Sequence, residues 1–335
     1  MILKEKPWIW RIPFLMLLIG GSIWAINRHK GQDEGKWFRN EGAVFGTIYH
    51  AIYQSDKDMK EEMEAALNEV DASLSMFNPA STISKVNAGT DMKTDSLLEV
   101  VFTLAQQVSQ VTDGSFDVTV APLVNAWGFG YKNGILPDSV QVDSLRQLIG
   151  WQRVSIKDGM VEKEDPNIVM DFSAIAKGFG CDVVAETFRR HGIKNFMIEI
   201  GGEVVVEGQN HKGNAWRVGV NKPIEDSTSV NNELEDVLEL TNQAMATSGN
   251  YRNFYTTEDG RRIAHTIDPH TGYPVQHSIL SATVLAPTCA EADAFATSFM
   301  VMGLEKAKEV LKKQKQLKVF LIYADGEKNK VYRTI

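Results

Sequence analysis

The sequence predicts an α+β fold: a single domain of mixed or antiparallel sheets with packed helices, behind an N-terminal membrane anchor. Short strand-like runs dominate and often follow one another directly, with amphipathic helices interleaved. No internal repeat and no second compositional domain divides the body. The chain has 335 residues, 43% hydrophobic and 23% charged, enough for one sizeable core. A formal net charge of -8 argues against a nucleic-acid partner or a polybasic membrane surface. The two cysteines, Cys181 and Cys289, are no disulfide framework and read as free, buried thiols.

The first thirty residues stand apart. Ile12 to Ile26 is uncharged and apolar, flanked by Lys4, Lys6 and Arg11 before it and Arg28 and Lys30 after it. Trp8, Trp10 and Trp24 fit interfacial positions. The uncharged core falls short of the ~20 residues a span needs, and including Trp8 to Arg11 makes it sufficient. A cleaved signal peptide is the alternative; an uncleaved anchor at residues 1–30 with an exported body is preferred. Residues 31–42 read as a polar linker, and 43–335 as the folded domain.

Within that domain, Ala43–Tyr53 alternates as a strand. Met63, Leu67, Val70 and Leu74 recur at helical spacing, so a helix is expected over Asp56–Leu74, and a second over Ser96–Val111. Further strands are expected at Asn167–Phe172, Asn195–Ile200, Glu203–Glu207, Trp216–Val220, Val237–Leu240, Ser281–Leu285, Lys318–Tyr323 and Lys330–Thr334. Helices are expected at Ile175–His191, Ala290–Met302 and Glu305–Gln314, with Thr288 and Glu291 as a capping box. Lys222–Asp236 reads as a surface insertion.

Met170–Asp182, MDFSAIAKGFGCD, carries the most chemical information. An apolar run delivers Asp171 into a turn of small residues, and Lys177 follows where a helix opens. Unpaired N–H groups at a helix start, with a lysine beside them, suit a phosphate oxygen. It is not a P-loop. Asp293 and Thr297 are one helical turn apart, a carboxylate and a hydroxyl fit for a hard cation. From spacing alone, a helix Asp favouring its own dipole and a Thr bonding back to its own backbone is the preferred explanation. His265–Val275, HTIDPHTGYPV, makes a tight turn, with His265 placed to face a ligand. The other histidines show no partner pattern. Gly201-Gly202-Glu203 permits a bend or a close approach to a ligand; Thr247–Tyr251 is a similar small-residue turn. Trp127–Gly130, WGFG, either sandwiches a planar ring or puts a core Trp beside a loop.

These segments together resemble the ApbE family, the FAD:protein FMN transferases, also known as thiamine-biosynthesis lipoproteins. The resemblance runs in order through FGT at Phe45–Thr47, LSMFNPASTISKVN at Leu74–Asn87, TDGSFDVTVAPLVNAWGFG at Thr112–Gly130 and DFSAIAKGFGCD at Asp171–Asp182. It continues through EIGGE at Glu199–Glu203, TSGNY at Thr247–Tyr251, HTIDPHTGYPV at His265–Val275 and ADAFAT at Ala292–Thr297.

The resemblance implies a T-fold-like domain and a Mg²⁺-dependent enzyme. Such an enzyme passes FMN from FAD, with AMP leaving, to a threonine hydroxyl of an exported or membrane redox protein of the Nqr or Rnf kind. It implies a metal site at Asp293, Thr297 and the backbone oxygen of Ala174. It implies FAD contacts at Phe45, Phe77, Ala126, Trp127, Gly128, Asp171, Lys177, His265 and Ile267, in a domain held on the periplasmic side of the inner membrane. Lys177 near a pyrophosphate would matter, since unit charges ~4 Å apart at an effective dielectric of ~20 attract by roughly 4 kcal/mol. His265 or Asp171 is the candidate base for the acceptor hydroxyl. The small residues around Lys177 would let the backbone reach the ion. Phe45 stands where the family usually has Met, Phe77 often replaces Tyr, and Glu203 often replaces Asp. No lipobox cysteine follows the apolar segment, which favours a peptide anchor over a lipid. Two other readings are a Mg²⁺-dependent FAD pyrophosphatase on the same scaffold and a tethered flavin-binding protein without turnover.

Overall fold

A computed structural model describes residues 35–129, 136–224, 233–250, 254–256, 262–326 and 328–335. The expected anchor at residues 1–30 lies outside the described residues. Among the described residues, no helix is long and apolar enough to cross a membrane.

The domain opens with a hairpin of β1 (Lys36–Val44) and β2 (Thr47–Ser55). Its two-residue turn places Phe45 at φ 49° and Gly46 at φ 72°. Positive φ at both central positions matches the twist of paired strands, but a phenylalanine there is strained. Residues 36–42, expected in a linker, are therefore strand, their full length paired with β2. Polar residues hid it because β1 is an edge strand with one solvated face.

Helix α1 (Lys60–Leu74) starts later than expected. The Asp58 carboxylate accepts from Tyr53 Oη and from Lys60 N, and Tyr53 Oη accepts from Met59 N, so the preceding residues are held as a loop. Helix α2 (Thr82–Ala88) begins at an N-cap, Ser81, whose side chain accepts from Ser84 N. Helix α3 (Ser96–Val111) has the expected bounds and is capped by Asp95. Two short helices follow, α4 (Ala121–Ala126) and α5 (Ser139–Arg146), then a ribbon of β3 (Val154–Lys157) and β4 (Met160–Lys163).

The expected strand at Asn167–Phe172 is not a strand. The Asn87 side chain takes the place of a strand partner, accepting from Met170 N at 2.9 Å and donating to Met170 O at 2.8 Å. Asp171 N donates to Val118 O at 2.7 Å. Helix α6 (Ala176–Arg190) leads into β5 (Phe196–Ile200) and β6 (Glu203–Glu207). A ribbon of β7 (Trp216–Asn221) and β8 (Leu234–Leu240) precedes β9 (Gln243–Gly249). Thr247–Gly249, expected within a turn, instead pairs as strand with Ser281–Thr283. Short strands β10 (Phe254–Thr256) and β11 (Arg262–Ala264) pair with each other. The chain closes with β12 (Ile279–Ala286), α7 (Cys289–Met302), α8 (Leu304–Lys313), β13 (Lys318–Asp325) and β14 (Lys328–Arg333).

Eight strands form one antiparallel sheet in the order β1-β2-β5-β6-β9-β12-β13-β14. Helices α6 and α7 cover one face and touch each other, with α1 packed on α6 and α3 on α7. On the other face Val204, Val206, Met245 and Leu285 pack against Trp216, Val220 and Leu240 of the β7–β8 ribbon. Covered on both faces, β6 reads as a continuous apolar run, Val204–Val206, rather than an alternation. This mixed α+β arrangement brings the ends of α6 and α7 beside the hairpin turn. Both cysteines are buried and free.

Candidate functional site

A pocket of about 620 Å³ lies between the hairpin turn, the end of α1, the end of α4, the loop at 171–173 and the start of α6. Phe45, Phe77, Asp171, Lys177 and His265, predicted from sequence, all line it. Phe77 is 78% exposed at its rim. Phe129 also lines it, with its ring centroid 6.2 Å from that of His265. Phe129 falls within the Trp127–Gly130 motif that the sequence offers as a ring sandwich but was not named as a contact, and Asn125, which precedes the predicted Ala126–Gly128 stretch, was passed over.

Ala126, Trp127, Gly128 and Ile267 are not among the lining residues. Trp127 is buried with Leu123, Val142, Ile263 and Ile267, and its Nε1 donates to Gly272 O at 2.8 Å. It ties the end of α4 to the turn at 268–273 rather than sandwiching a ring. In that turn Asp268 Oδ1 accepts from His270 N and Oδ2 accepts from Thr271 Oγ1. His270 acquires a partner the sequence did not signal: its ring lies 2.7 Å from Asp113 O. Asp171 Oδ1 accepts from Ser173 N at 2.8 Å and Ser173 Oγ at 2.5 Å, a small turn that fixes the carboxylate at the pocket wall.

Ala176 and Lys177 line the pocket at the start of α6, whose N-cap residue, Ile175, has no capping side chain. Ala176 N donates to Phe172 O and Gly178 N to the Asp293 carboxylate, so the positive charge this helix start offers an anion is chiefly the Lys177 ammonium. The glycines of this segment serve packing. A Cβ at Gly178 would lie 2.4 Å from Cys289 O, so Gly178 lets α6 approach the start of α7; a Cβ at Gly180 would lie 2.6 Å from the Phe45 ring. The helices are further joined by Asp182, which accepts from Cys289 N and Ala290 N at 2.8 Å each. Thr288 caps α7 through Glu291 N, while the Glu291 carboxylate accepts from Gln316 rather than completing a box.

Asp293 is 3% exposed, and its Oδ2 accepts from Gly178 N at 3.1 Å. It therefore serves the end of α6, not the dipole of its own helix. Thr297 Oγ1 lies 3.2 Å from Ser248 Oγ of β9, so its hydroxyl also reaches across elements. In a continued helix Gly178 N would donate to Ala174 O. Here it donates to Asp293, and among the described residues no backbone N–H donates to Ala174 O. A buried carboxylate, a hydroxyl one helical turn from it and a carbonyl oxygen to which no described backbone N–H donates are the kind of donors that suit a hard divalent cation such as Mg²⁺.

Lys177 Nζ forms an ion pair with Glu203 Oε1 at 2.6 Å. Burial works against the lysine charge, but the Asp293 and Glu203 carboxylates outweigh it and hold its pKa above the ordinary lysine range. Glu203 is pushed up to about 8, first by burial and then by Asp293. Asp293 is also raised by burial, with Lys177 and the Gly178 N–H opposing. Sequence reading took Gly201-Gly202-Glu203 as a bend or a close approach to a ligand and gave the Glu203 side chain no role; a glutamate opening a buried valine run was the available signal.

The model of the ApbE family matches residues 45–321. The FAD:protein FMN transferase of Haemophilus influenzae is 38% identical over 325 residues, covering 91% of this chain and 92% of that one. That of Vibrio cholerae is 35% identical, covering 98% and 96%. The solved structure of the flavin transferase ApbE from Vibrio cholerae superposes with a TM-score of 0.81 at 32% identity, covering 89% of this chain and 97% of that chain. On the extent of the family match and the identity to these relatives, this chain belongs to the ApbE family.

Proposed function

We propose that this protein is a Mg²⁺-dependent FAD:protein FMN transferase. It moves FMN from FAD to a threonine hydroxyl of an exported or membrane redox subunit of the Nqr or Rnf kind, releasing AMP. The observation that carries this is the joining of an aromatic-rimmed pocket to a cationic helix start and a hard-oxygen cluster within one network. The named activity of relatives up to 38% identical supports the same reading. Residues 12–26 would anchor the chain in the inner membrane, with the domain on the periplasmic side, as their apolar and flanking basic character suggests.

Transfer of a phosphorus-centred group depends mainly on positioning and charge neutralisation. Phe45, Phe77 and Phe129 would hold the flavin's flat ring at the pocket wall. Lys177 would hold the pyrophosphate through its ammonium, at the positive end of the α6 dipole. Asp293, Thr297 and the Ala174 carbonyl would hold Mg²⁺, which when bound neutralises charge on the phosphate oxygens. His265 or Asp171, both on the pocket wall, would take the proton from the acceptor hydroxyl.

Full-length protein incubated with FAD, Mg²⁺ and a threonine-bearing acceptor domain should give a flavin-fluorescent acceptor band on a denaturing gel. Free FMN and AMP without a band would overturn transfer in favour of hydrolysis. Unchanged FAD would reduce the protein to a binder. In the same assay Asp293→Ala should abolish turnover, and full activity in that variant would remove Asp293 from the site.

A further inference from the structure

Glu203 is 2% exposed, and its Oε2 is buried with no hydrogen-bond partner, while Oε1 is held by Lys177. A buried carboxylate oxygen left bare is costly, and such atoms in native proteins call for an explanation. Hydrogen bonding within the protein does not supply one. Charge does: the buried Asp293 carboxylate holds Gly178 N, and the ammonium of the neighbouring Lys177 is paired with Glu203, so two buried carboxylates and one ammonium meet at the first turn of α6. Two buried carboxylates against one ammonium leave a negative excess that a cation would neutralise.

We propose that Glu203 Oε2 is a further oxygen donor to the divalent cation assigned to Asp293, Thr297 and the Ala174 carbonyl. Glu203 thereby bridges that cation to Lys177. The proposal rests on the cation reading of Asp293. One carboxylate can serve both partners, because each oxygen carries its own lone pairs and the two positive groups need not share an atom. The bridge couples two parts of the site: the cation fixes the carboxylate, and the carboxylate fixes the lysine ammonium at the pocket wall. Its place in the fold favours such precision, since Glu203 opens a central strand and Lys177 the first turn of α6, both rigid elements.

The test is Mn²⁺ binding to the full-length protein, followed by the electron paramagnetic resonance signal of the free ion. Glu203→Gln keeps the shape and should weaken binding by about 10–100-fold, the range expected for losing a group that supports a metal site. Asp293→Asn should weaken it at least as much. Unchanged affinity in Glu203→Gln alongside weakened affinity in Asp293→Asn would overturn the bridge and leave the Asp293 reading standing. Unchanged affinity in both, or no Mn²⁺ binding by the unsubstituted protein, would overturn both. Should Glu203→Gln fail to fold, Glu203→Asp retains the charge opposite Lys177 and withdraws it by one methylene. It should bind Mn²⁺ about tenfold more weakly, and wild-type affinity there would overturn the bridge.

Discussion

The phenyl ring of Phe45 lies against Gly180 so closely that a Cβ on that glycine would stand 2.6 Å from Cε2. One residue is the strained turn of the β1–β2 hairpin, and the other lies on the second turn of α6. Their contact sets where the hairpin turn meets the pocket.

Gly180→Ala should therefore act on the ligand more than on the fold. The obstructing atom is the far end of a side chain, and the ring can swing aside into the pocket it lines. We expect an FAD dissociation constant raised about tenfold, which is ~1.4 kcal/mol, with a melting temperature close to that of the wild type. Fluorescence titration beside thermal unfolding checks this. Equal affinity would mean that Phe45 does not pack on the flavin.

Gly178→Ala, two residues earlier, should do the opposite. Its Cβ would meet the backbone of Cys289 at 2.4 Å and Ala290 N at 2.9 Å, and backbone cannot swing aside. The α6–α7 spacing must open, which stretches the Gly178 N–Asp293 bond. Overpacking of this kind costs about 1–3 kcal/mol. Urea denaturation should show that loss. Wild-type stability would show that the two helices can separate freely.

Much of the fold was legible because apolar periodicity survives burial on one face. The bounds of α3 and β5 follow it closely, while β6, covered on both faces, is legible instead as a continuous valine run. It fails where a side chain substitutes for a partner strand, as at Asn87 and Met170. It fails again where an edge strand is polar, as at Lys36–Val44. In the site, Phe45, Phe77, Asp171, Lys177 and His265 converge as expected. Trp127 does not join them, because motif membership cannot tell a ring facing a ligand from one bonded to the carbonyl of Gly272. Glu203 was missed because its role depends on Lys177, which only folding brings within 2.6 Å.

Asn87→Ala tests how the loop carrying Asp171 is held. Both hydrogen bonds to Met170 would be lost, leaving a buried N–H and C=O without partners, since Met170 is fully buried. Each unsatisfied group costs about 1–3 kcal/mol. The expected result is a marked loss of stability together with weaker FAD binding, as Asp171 is the next residue. Asn87→Asp should recover only the bond from Met170 N. Stability unchanged in Asn87→Ala would show that the loop is held by packing alone.

The pH dependence of the metal-free protein should be unusual for a carboxylate-rich domain. Burial and the neighbouring Asp293 push the Glu203 carboxyl in the folded protein up to about 8, against about 4.5 for an ordinary glutamate. Between those values the folded state binds more protons than the unfolded one, so stability falls as pH rises. The contribution is fully present below about pH 4.5 and is lost as pH climbs through 8. Asp293 is raised in the same direction. Most paired carboxylates, with depressed pKa values, behave in the reverse sense. Unfolding free energy measured with chelator present at pH 5 and pH 8 should be lower at pH 8. Glu203→Gln should flatten that slope by removing the titrating group. Saturating Mn²⁺ should raise stability most at pH 8, because the cation binds the ionised carboxylates and is opposed by their protonation. A slope that persists in Glu203→Gln would place the titration elsewhere.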